Sequence, residues 1–226
     1  MTIWVLTGNV GGGKTTALKR VVTSLARKGL KMAGVLSLSV FDERGDRIGY
    51  DHVIFESDKG KLIILGEAPF LRKGASPAKT GHVKSHRTPG SKASPRVPGS
   101  KSFHLFQIKK WTAREKASTP AYRDSVGPYR INGRVLRSTA SYLAGRARKG
   151  DLDLLVIDEI GHLELKGGGF YGSLGEAVER RVSLLLVIRR ELLGKALALP
   201  LLRKEKKRIF CVEREKPNEI AREIGG

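Results

Sequence analysis

Apolar residues in this chain fall into short blocks, and the spacing inside each block sets the element it can form. Ile3-Trp4-Val5-Leu6 is a run of strand length. Leu18, Val21, Val22 and Leu25 then recur at i, i+3, i+4 and i+7, the spacing of one helix face, until Gly29 stops the pattern. Met32 to Leu38 reads as a second strand. Ser37 to Phe41 and Ile48 to Phe55 read as a hairpin around Asp42-Glu43-Arg44-Gly45-Asp46, and Leu62 to Leu65 as a further antiparallel strand after the turn at Ser57-Asp58-Lys59-Gly60. Later in the chain, Val135, Leu136, Tyr142 and Leu143 mark a helix running to about Lys149. Leu152 to Glu159 is a continuous β-rich apolar run ending in acids, the pattern of a strand covered on both faces in a parallel sheet. A helix from Phe170 to about Arg181, a strand from Ser183 to Ile188, a helix over Leu192 to Leu202 as far as Pro200, a strand from Arg208 to Val212 and a short helix opened by Pro217 complete the chain. Strands alternating with helices predict an α/β fold with a mainly parallel sheet and antiparallel additions.

One stretch breaks this rhythm. From about Lys73 to Asp124 the chain is rich in Pro, Gly, Ser and Lys, and Gly74 to Lys101 holds almost no large apolar residue, which predicts a disordered loop. Phe103, Leu105, Phe106, Ile108 and Trp111 then form an apolar cluster among basic residues. The 226 residues therefore read as one domain, residues 1–226, interrupted by an insertion at about 73–124. Charge follows the same boundary. The chain carries +21, and from Leu71 to Asp124 thirteen Lys and Arg face only Glu115 and Asp124, so +11 of the excess lies there. A field of that sign attracts polyanions, and makes nucleic acid a candidate partner of the insertion.

The remaining composition excludes several classes. No apolar run approaches the roughly twenty residues of a membrane span, so no membrane partner is expected. A first strand starting at Thr2 leaves no room for a targeting segment before it. Cys211 is the only cysteine, which rules out an internal disulfide and suits the reducing cytoplasm. His52, His82, His86, His104 and His162 show no metal-ligand spacing. A monomer is the expected state.

The chemistry is carried by residues Gly8, Asn9, Val10, Gly11, Gly12, Gly13, Lys14, Thr15 and Thr16, which satisfy G-x-x-x-x-G-K-[ST] between a strand-length run and a helical pattern. Consecutive backbone N–H groups converge on phosphate oxygens only where positive φ is allowed and no Cβ intrudes, hence the glycines. Lys14 supplies a cation for the β and γ phosphates, and the Thr15 hydroxyl a ligand for Mg²⁺. The phosphates would sit at a helix N-terminus, where unpaired N–H groups and the helix dipole favour anions. At the end of the apolar run, Asp158 and Glu159 fall on the carboxyl edge of the sheet. Alone, they are a charged strand end. Beside the loop at Gly8 they become the expected second phosphate motif, Asp158 for Mg²⁺ and Glu159 for the attacking water. Arg189 and Arg190 end another strand, either to stabilise phosphoryl-transfer charge or as solvated residues before a helix.

Thr7 to Thr16, Val126-Gly127-Pro128-Tyr129 and Ile157-Asp158-Glu159-Ile160-Gly161-His162-Leu163-Glu164-Leu165 together resemble the THEP-type nucleoside-triphosphatases, over about Met1 to Arg72 and Val126 to Val212. The resemblance implies a RecA-like core and Mg²⁺-dependent hydrolysis of nucleoside triphosphates to diphosphates with little base selectivity. It also implies phosphate binding by Gly8 to Thr16, with Asp158 and Glu159 holding metal and water. The family pattern departs at the 73–124 stretch and at Arg189-Arg190, where a His-Arg type sequence is expected. A kinase using the basic insertion as a lid and a nucleic-acid-associated nucleotide switch are the alternatives, although no Asn-Lys-x-Asp motif is present for reading guanine.

Overall fold

The computed structural model describes residues 1–73, 107–108, 122–126 and 128–226. The strands are β1 (Thr2–Gly8), β2 (Met32–Phe41), β3 (Arg47–Asp58), β4 (Lys61–Lys73), β5 (Gln107–Ile108), β6 (Tyr122–Val126), β7 (Tyr129–Asn132), β8 (Leu154–Ile160), β9 (Ser183–Arg189) and β10 (Lys206–Cys211). The helices are α1 (Lys14–Arg27), α2 (Gly133–Lys149), α3 (His162–Leu165), α4 (Tyr171–Glu179), α5 (Leu193–Leu197) and α6 (Pro217–Gly225). The strands form one sheet in the order β10-β1-β9-β8-β2-β3-β4-β7-β6, with β5 beside β4. From β10 to β2 every pairing is parallel; β2-β3, β3-β4, β4-β7 and β7-β6 are antiparallel.

The continuous apolar runs resolve into two faces because strand side chains alternate. In β8, Leu155 and Ile157 join one core with Leu143 and Ala147 of α2 and Leu174 and Ala177 of α4, while Leu154 and Val156 point the other way. In β9, Leu184, Leu186 and Ile188 take the first face, and Leu185 and Val187 the second. The second core is closed by Leu18, Val21, Val22 and Leu25 of α1 and Ile220 of α6. Burying one such side chain contributes about 1.5–3 kcal/mol. Asn132 caps α2, its side-chain oxygen accepting from the Val135 amide at 3.2 Å, and Gly150 at φ 69° ends it.

Two elements differ from the pattern expected of the sequence. The strand predicted at Leu62 to Leu65 runs on through Gly66 and Pro69 to Lys73, with Leu65 and Phe70 left out of the pairing at two bulges, where the register shifts between Ile54 and Phe55 and between Tyr50 and Asp51. The helix predicted over Leu192 to Leu202 is a 3-10 turn at Arg190–Leu192 followed by the five-residue α5. Leu199 and Leu202 are buried from turns instead, since the residue before Pro200 is biased away from helical geometry. The loop predicted for Gly74 to Lys101, and all but Ile108 of the apolar cluster at Phe103 to Trp111, lie outside the described residues. β6 pairs with β7 from inside the stretch read as inserted.

Candidate nucleotide site

β1 ends at Gly8, and the chain turns back over it before entering α1. Gly11 at φ 77° and Gly13 at φ 78° occupy the left-handed region the motif requires, and the Gly12 amide donates to Asn9 O at 3.0 Å. Lys14 Nζ reaches back to donate to Gly8 O at 3.2 Å and Asn9 O at 2.6 Å, so its charge is held across the mouth of the loop. Burial lowers its pKa from the ordinary lysine value. Val10, at the tip, is 63% exposed, and Thr16 faces solvent on the first turn of α1.

Strand order carries Asp158 to this loop although β9 lies between their strands. Thr15 Oγ1 and Asp158 Oδ1 face each other at 3.4 Å. The ladder between β2 and β8 runs up to Val35 and Ile157; beyond it the Ser37 amide donates instead to Asp158 Oδ2 at 3.0 Å. Asp158 is 2% exposed, and burial pushes its pKa up to about 7 against the pull of the Ser37 amide. A cation bound there would compensate the charge of a carboxylate confined in this way. The donor set fits Mg²⁺: one hydroxyl and one carboxylate, both hard oxygens, at a spacing near the roughly 3 Å between adjacent ligands of a small octahedral ion.

Glu159 adopts φ 76°, which a side chain rarely does. The register of β8 against β9 shifts between Ile157 and Ile160, so this residue sits in a bulge that turns it off the ladder. Conformations of this kind cost on the order of 1–3 kcal/mol and persist where surrounding structure enforces them. The residues just after Glu159 are held by Glu164. It is 3% exposed, accepts from the Gly161 amide at 2.8 Å and the Phe170 amide at 3.0 Å, and clamps the loop that follows β8. A Cβ on Gly169 would fall 1.9 Å from the same carboxylate.

The two arginines part company. Arg189 pairs with Glu159, its Nε donating at 2.8 Å, at the edge of the site. Arg190 turns behind the loop to Glu213 at 3.1 Å and Cys211 Sγ at 3.2 Å. Glu213 in turn accepts from the Asn9 amide at 2.7 Å, and Cβ atoms on Gly8 or Gly12 would meet it at 2.8 and 2.9 Å. Its pKa is pulled down to about 2 by hydrogen bonds from the Cys211 thiol and the Asn9 amide. Sequence reading missed Ser37 and Glu213, which no local pattern marks. Glu164 carried a signal in the Gly161-x-x-Glu164 spacing of a helix start. Of the histidines, His52 and His162 line a cavity beside Glu159, whereas His82, His86 and His104 lie outside the described residues.

A family model described as NTPase matches residues 3–80 and 97–225. The chain belongs to the THEP-type nucleoside-triphosphatase family. The match breaks between residues 80 and 97 and otherwise runs almost the whole length, reaching past Val212 to take in Glu213 and α6. The nucleoside-triphosphatase THEP1 of Thermococcus kodakarensis is 27% identical over 191 residues, covering 84% of this chain and 77% of that protein. Among solved structures, a human cancer-related nucleoside triphosphatase aligns over 99% of this chain and 95% of its own, with TM-score 0.57 and 21% identity. THEP1 from the hyperthermophile Aquifex aeolicus aligns over 99% and 96%, with TM-score 0.50 and 19% identity. Both share the P-loop α/β fold with a mostly parallel sheet and antiparallel additions. Among the described residues, no helix is long and apolar enough to cross a membrane.

Proposed function

We propose that this nucleoside-triphosphatase hydrolyses ATP, GTP and other nucleoside triphosphates to the diphosphate and phosphate in a Mg²⁺-dependent reaction, with broad base selectivity. The observation that carries the reading is the approach of Thr15 to a buried Asp158 across an intervening strand, at the N-terminus of the helix that the glycine loop opens. Gly8 to Thr16 would cradle the phosphates with backbone amides, and Lys14 would exchange its two carbonyl partners for β and γ oxygens. Thr15 and Asp158 would hold Mg²⁺, which neutralises charge on the phosphate oxygens when bound.

Glu159 would orient and deprotonate water. Arg189 holds that carboxylate in this structure, and a γ phosphate beside it offers the guanidinium a second anion. Turning toward the phosphate would place charge where it develops in the transition state and release Glu159 to act on water. Arg190 pairs with Glu213 instead, which favours Arg189 for that role. The lone Cys211 suits work in a reducing cytoplasm.

Phosphate release from ATP, GTP, CTP and UTP, with Mg²⁺ or with a chelator, tests this reading. All four are expected to be hydrolysed, and the chelator to stop each. Turnover that survives chelation would remove the metal role, and a single accepted base would remove the broad specificity.

A further inference from the structure

Of the four glycines at positions 8, 11, 12 and 13, only Gly11 and Gly13 have positive φ. At Gly8 and Gly12 what excludes a side chain is room, since a Cβ there would fall 2.8 or 2.9 Å from the Glu213 carboxylate. Glu213 reaches the loop by strand register. Thr7 of β1 pairs with Cys211 of β10, and the Val212 amide donates to Thr7 O at 3.0 Å, so the next residue stands level with Gly8 and Asn9. There the chain turns sharply, with the Arg214 and Glu215 amides both donating to Cys211 O at 2.9 Å. The two oxygens of Glu213 have separate partners. Oε1 accepts from the Asn9 amide at 2.7 Å, while Oε2 accepts from the Cys211 thiol at 2.9 Å and the Arg190 guanidinium at 3.1 Å.

On charge alone, an acid against a phosphate loop is unfavourable, because a carboxylate repels a nearby triphosphate, and the pairing with Arg190 offsets only part of that. The hydrogen bonds supply a reason for it. Asn9 is pinned at both ends: Glu213 takes its amide, and its carbonyl accepts from Lys14 Nζ at 2.6 Å and from the Gly12 amide at 3.0 Å. When Lys14 turns to phosphate oxygens, the carbonyl gives up its charged donor. The bond to Glu213, itself charge-assisted, does not compete with phosphate for Lys14 and stays in place.

We propose that Glu213 is a positioning residue for the phosphate loop: it fixes the Asn9 peptide from outside, and Arg190 fixes Glu213 in turn, so that the loop amides are already aimed when a nucleoside triphosphate arrives. The inference rests on the reading of Gly8 to Thr16 as the phosphate site. Holding a loop in its bound conformation lowers the ordering cost of binding, so the benefit is expressed as affinity. Glu213 acts through Asn9 and not on the reacting atoms, which places its effect on nucleotide binding and leaves the chemical step nearly untouched.

The test compares the purified full chain with Glu213→Ala, Glu213→Gln and Arg190→Ala, measuring Kd for Mg²⁺-ATP by titration calorimetry and KM and kcat by phosphate release. Charge and positioning predict opposite signs, since loss of a repelling carboxylate would tighten binding and loss of a support weakens it. Glu213→Ala is expected to raise Kd and KM about tenfold, with kcat within about threefold of the parent. Glu213→Gln keeps an acceptor for the Asn9 amide and should recover most of that affinity, while Arg190→Ala, which breaks an exposed pair, should weaken binding by about threefold. Asparagine-selective isotope labelling leaves three backbone amides to follow, Asn9, Asn132 and Asn218. The Asn9 proton is expected to move upfield in Glu213→Ala and less in Glu213→Gln. An alanine variant that binds as tightly as the parent or tighter, an Asn9 signal that does not move, or a glutamine variant as weak as the alanine one would each overturn the proposal. Melting followed by circular dichroism checks folding; should Glu213→Ala unfold, Arg190→Ala decides, and an unchanged Kd there would overturn it. If the parent neither binds nor hydrolyses Mg²⁺-ATP, the phosphate-site reading falls as well; if it does both and the variants match it, only the role of Glu213 falls.

Discussion

In the parallel half of the sheet six of the seven residues of β8 are buried, whereas in the antiparallel half β4 buries three of its thirteen. The difference follows from what covers each. Strands β1, β8 and β9 are packed by α1 and α6 on one face and by α2, α4 and α5 on the other, so their side chains have nowhere to go but into a core. Antiparallel strands tolerate one wetter face, bulges and a proline. The two halves meet at Asp158, which Thr15 approaches from one direction and Ser37 from the other. The rigid half presents the loop and the acids at its carboxyl edge; the looser half supplies the aromatic wall opposite, from Tyr50, His52, Phe70 and Tyr129. A catalytic edge needs atoms held to fractions of an ångström, and a wall needs mainly shape.

The strongest way to break this division is to strip charge from the rigid edge. Lys14→Ala and Asp158→Ala are each expected to lower kcat by about 10³-fold, because each removes compensation for phosphate or metal charge. Steady-state phosphate release measures the effect, and a rate near the parental one would show that the edge is not the reaction centre. For Lys14→Ala, whose partners are two loop carbonyls, the melting temperature without nucleotide should barely move.

Glu159→Gln comes next, at about 10²-fold in kcat, with Mg²⁺-nucleotide affinity retained since the amide keeps the shape and loses the base. Equilibrium binding of a labelled nucleotide separates the two quantities. Their joint loss would make Glu159 a metal ligand or a support. A finer contrast lies in the neighbouring arginines. An arginine acting in cis is worth about 10³-fold or more where it meets developing charge, so Arg189→Ala should cost more than about tenfold and Arg190→Ala less. The reverse order would move the role behind the loop.

The smallest effect concerns the looser half and is read in stability. His52 has a folded pKa of about 3 against an unfolded value of 6.5. Below pH 6.5 the unfolded chain binds a proton that the buried ring refuses, so stability is full above that value and falls as pH drops toward 3. The slope is at most on the order of 1.4 kcal/mol per pH unit. His52→Leu should flatten the fall in melting temperature between neutral pH and pH 5 relative to the parent. Parallel curves for the two proteins would mean that the ring is not sealed.

Much of the rigid half was legible along the chain. The runs at Ile3, Leu152 and Ser183 are strands, Leu18 to Leu25 is one buried helix face, and the glycines with positive φ stand where the motif demanded them. The antiparallel half was read less well. Apolar alternation stops marking the strand after Leu65, where pairing between bulges at Leu65 and Phe70, not periodicity, carries it on through Gly66 and Pro69. Arg189 and Arg190 are adjacent and chemically identical, and only the backbone at the end of β9 sends one to Glu159 and the other to Glu213.

By itself the sequence determined the glycine loop that opens α1, because Gly8 to Thr16 are contiguous and the geometry they impose is local. It also determined the acidic strand end and the alternation of strands and helices, which follow from spacing alone. Only the tertiary structure decided who meets whom. Ser37 reaches Asp158 across 121 positions and Asn9 reaches Glu213 across 204, contacts set by strand order. The same order seals His52 against Phe70 and Phe170 without a hydrogen-bond partner. Spacing carries information only as far as a helix turn or a hairpin extends. Beyond that, burying two apolar faces of one sheet selects the neighbours, and the chemistry of the site is what that selection brings to its edge.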